Sequence, residues 1–414
     1  MTPHLASLSR RMDELTDHKR EFLEIGRRAG RFPSAIANYR PDGAGSEISI
    51  WCSNDYLGMG QNPRVMSAMK GAIDRFGAGS GGSRNIGGTN HYHVLLEQEL
   101  AALHGKEAAL IFSSGYTAND GALSVLATIG DCVVFSDELN HASIIDGLRH
   151  SGAEKHIFRH NDVAHLEELI SAADPDRPKM VVLESVYSMS GDVAPIAEIA
   201  EVAKRHGATI FLDEVHAVGM YGPEGAGIAA REGIADDITI IMGTLGKGFG
   251  TAGGYIAGPA TVIDTVRTLS RPFIFTTSLP PAIAAGALAA VRHLRGSELE
   301  RTALHDNARL MHRLLAERGI PFISDNSHIV SVFVGDETAC RTASTLLLER
   351  HGMYVQSINA PSVRAGEEIL RVAPGAVHTA AEIEKFAAAL DGIWQELDLP
   401  RCDLPGLHLP KARA

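Results

Sequence analysis

Short apolar runs rich in β-branched residues alternate along this chain with stretches whose apolar positions recur every three to four residues. The apolar runs predict strands at residues 48–52, 108–112, 132–136, 155–159, 180–184, 208–212 and 238–242. The amphipathic stretches predict helices over 63–76, 91–104 and 195–206, the first opened by Pro63 at a position that suits an initial turn. Strands alternating with helices predict an α/β domain built on a mostly parallel sheet. Its ligands then belong at the carboxyl ends of the strands, where the polar clusters of this sequence fall. Before it, Leu5 to Arg31 carry apolar residues at helical spacing (Leu8, Met12, Leu15, Phe22, Leu23, Ile25), an amphipathic arm ending near Gly30 and Pro33. After it, an Ala-rich helix from about Pro280 leads to strands near 329–334 and 368–373, a smaller α/β domain of roughly 110 residues. The expected division is an arm over 1–50, a large domain over 51–290, a small domain over 291–400 and a loose tail over 401–414.

Composition narrows the functional classes. A chain of 414 residues exceeds the size at which one core stops growing, which agrees with two domains. Hydrophobic content of 45% and charged content of 21% are those of a globular protein in water. A formal charge of −12 argues against nucleic acid or an anionic membrane as a partner. Any site for an anionic ligand must therefore gather its positive groups locally. Cys52, Cys132, Cys340 and Cys402 are scattered without metal-type spacing and read as reduced thiols. The first residues lack the apolar core of a signal peptide and no apolar run reaches ~18 residues, so a cytoplasmic protein is expected.

The candidate chemistry centres on Ile241 to Gly254, I-M-G-T-L-G-K-G-F-G-T-A-G-G, where Lys247 stands among glycines directly after a predicted strand. Without neighbouring side chains, a planar ligand can reach its amine, which forms a Schiff base once desolvation or nearby charge lowers its pKa. Alone, the tripeptide fits a solvated turn equally well. It is no P-loop, because Gly248 stands where a magnesium-binding hydroxyl is required and the glycine spacing is short. Gly77, Gly79 and Gly82 spell G-x-G-x-x-G but follow a predicted helix rather than a strand, which excludes a dinucleotide fingerprint. That glycine loop either wraps a ligand, with Ser83, Arg84 and Asn85 offering polar contacts, or is a structural turn. The run S-S-G-Y-T-A-N-D (113–120) between a strand and a helix start is a plausible anion seat. Asp213 and His216, three apart past another strand, complete a set suited to pyridoxal 5′-phosphate: a carboxylate for the pyridinium proton, an imidazole for the ring oxygen and an amine for the aldehyde. Taken singly, Asp213 also reads as a strand-end cap and His216 as a structural histidine.

The segments W-C-S-N-D-Y-L-G-M-G, G-S-G-G-S-R-N-I-G-G-T, S-D-E-L-N-H-A-S, E-S-V-Y-S-M-S-G-D, D-E-V-H-A-V-G-M-Y-G, G-T-L-G-K-G-F-G and F-T-T-S-L-P-P resemble the α-oxoamine synthases, most closely their 5-aminolevulinate synthase branch. The likeness spans about Arg20 to Ile393. It implies the fold type I aminotransferase architecture: a large domain on a mostly parallel seven-stranded sheet, a smaller C-terminal α/β domain, and a homodimer with shared active sites. It also implies pyridoxal phosphate as cofactor and a decarboxylating condensation of glycine with succinyl-CoA to 5-aminolevulinate, CoA and CO2. By position, Lys247 matches the Schiff-base lysine, Asp213 the partner of the pyridine nitrogen, His216 the donor to the ring oxygen, and His141 the stacking imidazole with Ser188 beside it. Gly115, Tyr116 and Thr244 match phosphate contacts, and Thr276 and Thr277 those supplied by the other subunit. Arg371 matches the residue that holds the amino-acid carboxylate, near Asn54 and Ser83. Arg20, Asn85 and Ser362 match groups around the acyl chain and its terminal carboxylate, and Ser136 and Lys155 other acyl-CoA contacts.

Under this resemblance the released Lys247 amine acts as general base, an effect worth ~10² to 10⁴ in rate, and His141 is the expected acid near the ketone. Ser83 and Ser362 stand where the branch usually has threonine. A methylene-sized change near the amino-acid carbon is worth only ~1 to 3 kcal/mol of discrimination, so glycine preference is relaxed rather than lost. Arg20 and Asn85 suit a succinyl carboxylate, since an unpaired buried anion is costly. The competing assignments are a sister enzyme, 8-amino-7-oxononanoate synthase or 2-amino-3-ketobutyrate CoA ligase, and a catalytically silent cofactor-binding protein.

Overall fold

The computed structural model describes residues 2–14, 23–38, 45–323 and 327–402. Arg20 and most of the expected tail lie outside the described residues.

The helical spacing expected through Arg31 holds only for the exposed helix Pro3–Glu14 among the described residues. Beyond it the chain forms β1 (Ile25–Arg27), β2 (Ser34–Ala37) and β3 (Ser46–Ile50), paired antiparallel in that order. Gly26 and Gly30 explain the departure, since each costs a helix about 1 kcal/mol, whereas pairing Ile25–Arg27 with Ala35–Ala37 satisfies the same backbone groups.

The central sheet contains β4 (Ala108–Phe112), β5 (Val133–Asp137), β6 (Lys155–Phe158), β7 (Lys179–Glu184), β8 (Thr209–Asp213), β9 (Ile240–Thr244) and β10 (Gly254–Gly258). Its spatial order is β4-β10-β9-β8-β7-β5-β6, and β10 alone runs against the rest. The sequence concealed β10, because G-Y-I-A-G has a glycine at each end and adjoins the lysine loop. The interior strands are apolar on both faces, as a sheet covered twice requires. Phe135, Val181, Leu183, Ile210, Leu212 and Ile241 point to one core with the helices Ile196–Arg205 and Pro281–Arg295. Val134, Val182, Phe211, Ile240 and Met242 point to the other with the helices Gly115–Leu126 and Ala142–Ser151.

The C-terminal region adds β11 (Phe322–Ile323), β12 (Val330–Phe333), β13 (Met353–Tyr354), β14 (Gln356–Ile358) and β15 (Ile369–Val372). Four of these form a sheet in the order β11-β12-β15-β14, and β13 instead joins β3 in parallel. Trp51, immediately after β3, belongs to this region's core, with Phe386 at 4.4 Å and His378 at 4.2 Å between ring centroids. The segment that carries Asn54 and Tyr56 is thereby rooted in the C-terminal unit while lying against the central sheet. Among the described residues no helix is long and apolar enough to cross a membrane.

Four parallel strands end in a polar residue: Asp137 on β5, Glu184 on β7, Asp213 on β8 and Thr244 on β9. All four are buried.

Candidate active site

Lys247 lies just past the end of β9, and its Nζ is 2.7 Å from His216 Nε2. Burial lowers the amine to about 8, with Asp213 opposing that shift and Arg371 adding to it. The His216 ring is buried and held well below its ordinary pKa, chiefly by desolvation and then by Lys247, so it is neutral. Its Nε2 accepts from the amine, and its Nδ1–H meets the Tyr56 hydroxyl at 3.2 Å. Tyr56 donates to Asn54 Oδ1 at 3.0 Å and accepts from Arg371 Nη2 at 2.8 Å. Arg371, on β15, also donates Nη1–H to Asn54 Oδ1 at 3.3 Å and Nε–H to the Ser188 carbonyl at 2.8 Å. One hydrogen-bonded line thus runs from the lysine amine to a guanidinium contributed by the C-terminal sheet.

Asp213 is 3% exposed, and burial raises its pKa against the hydrogen bonds it accepts. Those come from Asn119 Nδ2 at 2.7 Å and the Val215 N–H at 2.8 Å, neither a full counter-charge. Across the sheet Glu184 pairs in register with Asp213. Burial and the proximity of Asp213 push Glu184 well above the usual carboxylate range, and its Oε1 accepts the His141 N–H at 2.7 Å. His141 caps the helix Ala142–Ser151, its Nδ1 2.7 Å from Ser143 Oγ. One side of this imidazole is open to solvent, and Tyr116 meets it edge-on with centroids 6.4 Å apart.

The strand-to-helix turn that the sequence suggests as an anion seat is formed. Ser114 caps the helix Gly115–Leu126, whose first-turn N–H groups have no partner within the helix. A Cβ on Gly115 would lie 3.3 Å from Met242 Cε and 3.4 Å from Thr244 Oγ1, so the absence of a side chain keeps the helix start open beside Thr244. Thr244 itself donates to the Gly253 carbonyl at 3.0 Å and accepts the Gly246 N–H at 3.2 Å.

The remaining expected residues divide. Ser83 and Asn85 lie in the glycine loop, Asn85 exposed, and the Ser83 carbonyl closes the turn by accepting the Ile86 and Gly88 N–H groups. Arg84 is no free ligand contact, because Glu97 holds it in a two-point ion pair at 2.7 and 3.0 Å. Lys155 is exposed on the edge strand β6. Ser136 is not presented to a ligand in this conformation: it is 2% exposed and its hydroxyl accepts from Asn140 Nδ2 at 2.9 Å. Its place on a strand buried on both faces overrides the position match. Ser362 is exposed in the loop between β14 and β15. Thr276 and Thr277 line a recess with Ser113 and Arg84, beside Phe275, which is 74% exposed.

Sequence reasoning missed Tyr56, Asn119 and Glu184. Tyr56 offered no signal beyond lying in a polar turn. Glu184 was legible as an acidic residue ending an apolar strand, and Asn119 as the polar residue four positions past Gly115 on an otherwise small and apolar helix face.

Residues 46–390 match the family model for class I and II aminotransferases. The 5-aminolevulinate synthase of Rhizobium meliloti is 55% identical over 383 residues, covering 92% of this chain and 94% of that protein. 5-Aminolevulinate synthase 2 of Cereibacter sphaeroides is 54% identical over 379 residues, 91% and 93% of the two chains. A solved SPT structure with a PLP internal aldimine superposes with a TM-score of 0.88 at 34% identity, covering 95% of this chain and 98% of that one. The chain belongs to the class I and II aminotransferase family and, within it, to the 5-aminolevulinate synthases.

Proposed function

We infer that this protein binds pyridoxal phosphate at Lys247 and condenses glycine with succinyl-CoA, releasing CoA and CO2 and leaving 5-aminolevulinate. The observation that carries the reading is the line Lys247–His216–Tyr56–Arg371, which joins the buried lysine amine by hydrogen bonds to a guanidinium from the C-terminal sheet.

The residues fit the cofactor. An amine near 8 is available to an aldehyde at neutral pH. Asp213 accepts hydrogen bonds only from Asn119 and the Val215 N–H, so no cation is bonded to its carboxylate where a protonated ring nitrogen would sit. The start of the helix Gly115–Leu126, with Thr244, is built for a dianion. When bound, the cofactor supplies an electron sink for charge developing at the amino-acid α-carbon.

The chain's own groups do the rest. Arg371, steadied by Asn54, Tyr56 and the Ser188 carbonyl, keeps N–H groups for the glycine carboxylate, and Ser83 is assigned to the same substrate. Lys247 takes the proton from the α-carbon and returns one later, and a pKa near 8 suits both directions at neutral pH. His216 would stay neutral and donate to the ring oxygen once its Nε2 no longer accepts from the free amine. His141 would stack on the ring face and, with its pKa lowered chiefly by burial, would serve as hydrogen-bond donor and acid at the forming ketone. Asn85 and Ser362 are assigned to the acyl chain and its carboxylate, and Lys155 to the CoA portion.

Two copies pair, so that Thr276 and Thr277 of each complete the other's phosphate site. Ile86 and Phe275, 76% and 74% exposed in the single chain, support a face that is covered in the assembly.

CoA release measured across a grid of amino acids and acyl-CoAs tests the reading, with glycine and succinyl-CoA expected to give the fastest rate. Preference for alanine with pimeloyl-CoA, or for glycine with acetyl-CoA, would reassign the substrate. A visible cofactor band without turnover would reduce the protein to a binder. Borohydride reduction of the holoprotein should label the peptide that carries Lys247.

A further inference from the structure

A second charged cluster lies at the carboxyl ends of β5, β6 and β7. His160, just past β6, places Nδ1 2.9 Å from Asp137 Oδ1 and Nε2 2.6 Å from Asp192 Oδ2. Asn161 follows with φ 53°, a left-handed conformation that Asn tolerates. Its backbone N–H donates to Asp137 Oδ2 at 2.9 Å and its side chain to Asp192 Oδ2 at 2.7 Å. The Leu139 N–H and the Ser190 hydroxyl supply the remaining donors to the two carboxylates. Tyr187 packs edge-on against the imidazole at 4.4 Å. Burial opposes a charge on His160, but the hydrogen bonds to Asp137 and Asp192 outweigh it and raise the ring to about 10. One cation therefore holds two carboxylates together at working pH.

The cluster ties three strand-end loops. Asp137 opens the loop that leads to His141, His160 and Asn161 follow β6, and Asp192 closes the turn after β7. That turn is tight, with the Tyr187 N–H on the Asp192 carbonyl at 3.1 Å and the Gly191 N–H on the Tyr187 carbonyl at 2.9 Å. On its far side it is pressed against the C-terminal unit. A Cβ on Gly191 (φ +72°) would meet the Ile329 carbonyl at 2.7 Å, and the Met189 carbonyl accepts from Ser331 Oγ. Between these anchors the Ser188 carbonyl accepts Arg371 Nε–H.

We propose that His160 is a positioning residue for amino-acid recognition: by bridging Asp137 and Asp192 it fixes the Tyr187–Asp192 turn, and through the Ser188 carbonyl it sets the orientation of Arg371. The proposal rests on the reading that Arg371 holds the carboxylate of glycine. Without the cation, Asp137 and Asp192 repel across the position His160 leaves, and the turn is the element free to give, since Asp137 is anchored on a central strand.

Steady-state kinetics of the holoenzyme, with CoA release followed while glycine or succinyl-CoA is varied, provide the test. H160Q should raise the glycine KM at least tenfold while kcat changes less than threefold and the succinyl-CoA KM stays within twofold. H160Q/D192N, which removes the surplus negative charge, should recover at least threefold of the glycine defect. A purely structural role gives neither a glycine-specific shift nor a rescue that depends on charge. A glycine KM within twofold of wild type in H160Q, both KM values and kcat moving alike, or a double variant no better than the single one would each overturn the proposal. If H160Q does not fold, D192N carries the test: a glycine KM raised at least threefold supports it, and an unchanged one overturns it. If wild-type protein turns over a different amino acid, the parent reading fails separately, and the same comparison is made with that amino acid.

Discussion

The amine of Lys247 offers the sharpest quantitative check on the site. An ordinary lysine at 10.5 has about one uncharged amine in three thousand at pH 7, whereas one near 8 has about one in ten, a gain of ~300-fold in nucleophile. The shift corresponds to about 3 kcal/mol against the ammonium form. Its causes have opposite signs: burial and Arg371 push the pKa down, and Asp213 pushes it up. Apoprotein mixed with pyridoxal phosphate in a stopped-flow instrument reports aldehyde capture as an absorbance change. The rate should rise with pH and reach half its maximum near 8. Asp213→Asn removes an anion that favours the ammonium and should move the midpoint down, and Arg371→Met removes a cation that disfavours it and should move the midpoint up. A wild-type midpoint near 10, or a shift in the same direction for both variants, would show that desolvation and these two charges do not govern the amine.

Tyr56→Phe removes the hydroxyl that accepts from the Arg371 guanidinium and meets His216. A charge-assisted hydrogen bond of this kind is worth about 1.5 to 2 kcal/mol, so the glycine KM should rise ~10- to 30-fold with fold and cofactor absorbance intact, as initial-rate kinetics will show. Glu214, fully buried, accepts from Ser185 Oγ at 2.6 Å and from the Ile228 and Ala229 N–H groups at 3.0 and 2.9 Å. Glu214→Ala strands these donors, and a loss of about 3 to 5 kcal/mol is expected as a large drop in the apoprotein Tm, with Glu214→Gln losing less.

The α/β alternation was legible because strands such as Lys179–Glu184 and Thr209–Asp213 are apolar at consecutive interior positions and end abruptly in an acidic residue. That same abrupt ending marked Asp213 and, through the glycines around it, Lys247. What stayed hidden depends on pairing across the chain. Tyr56 matters only because Trp51 anchors its segment in a core formed some 300 residues later, which no local pattern encodes. Ile25–Arg27 kept a helical spacing, but its backbone is satisfied by Ala35–Ala37 instead. Ser136 had the right sequence position, yet strand β5 is covered on both faces and its hydroxyl turns to Asn140. Arg84 looked free in a glycine loop until the following helix brought Glu97 to it.

The strand ends concentrate acid, in keeping with a net charge of −12, around a site whose proposed substrates both carry carboxylates. Asp137, Glu184, Asp213 and Glu214 are each no more than 4% exposed, and each is handled by a different neighbour. Glu214 is satisfied by backbone N–H groups and Ser185, Asp137 by His160 and Asn161, and Asp213 by an amide and one N–H. Glu184, pushed well above the usual carboxylate range by burial and Asp213, accepts the His141 N–H. None of these arrangements takes Lys247 as its hydrogen-bond partner, and the amine meets neutral His216 instead. Had Lys247 paired directly with Asp213, the carboxylate would have raised its pKa and occupied the one group that must stay nucleophilic. The surrounding donors thus do more than satisfy buried acids: by taking up the acids' hydrogen-bonding demand, they leave desolvation as the dominant influence on the lysine, which is the condition for an amine near 8 in an acidic protein.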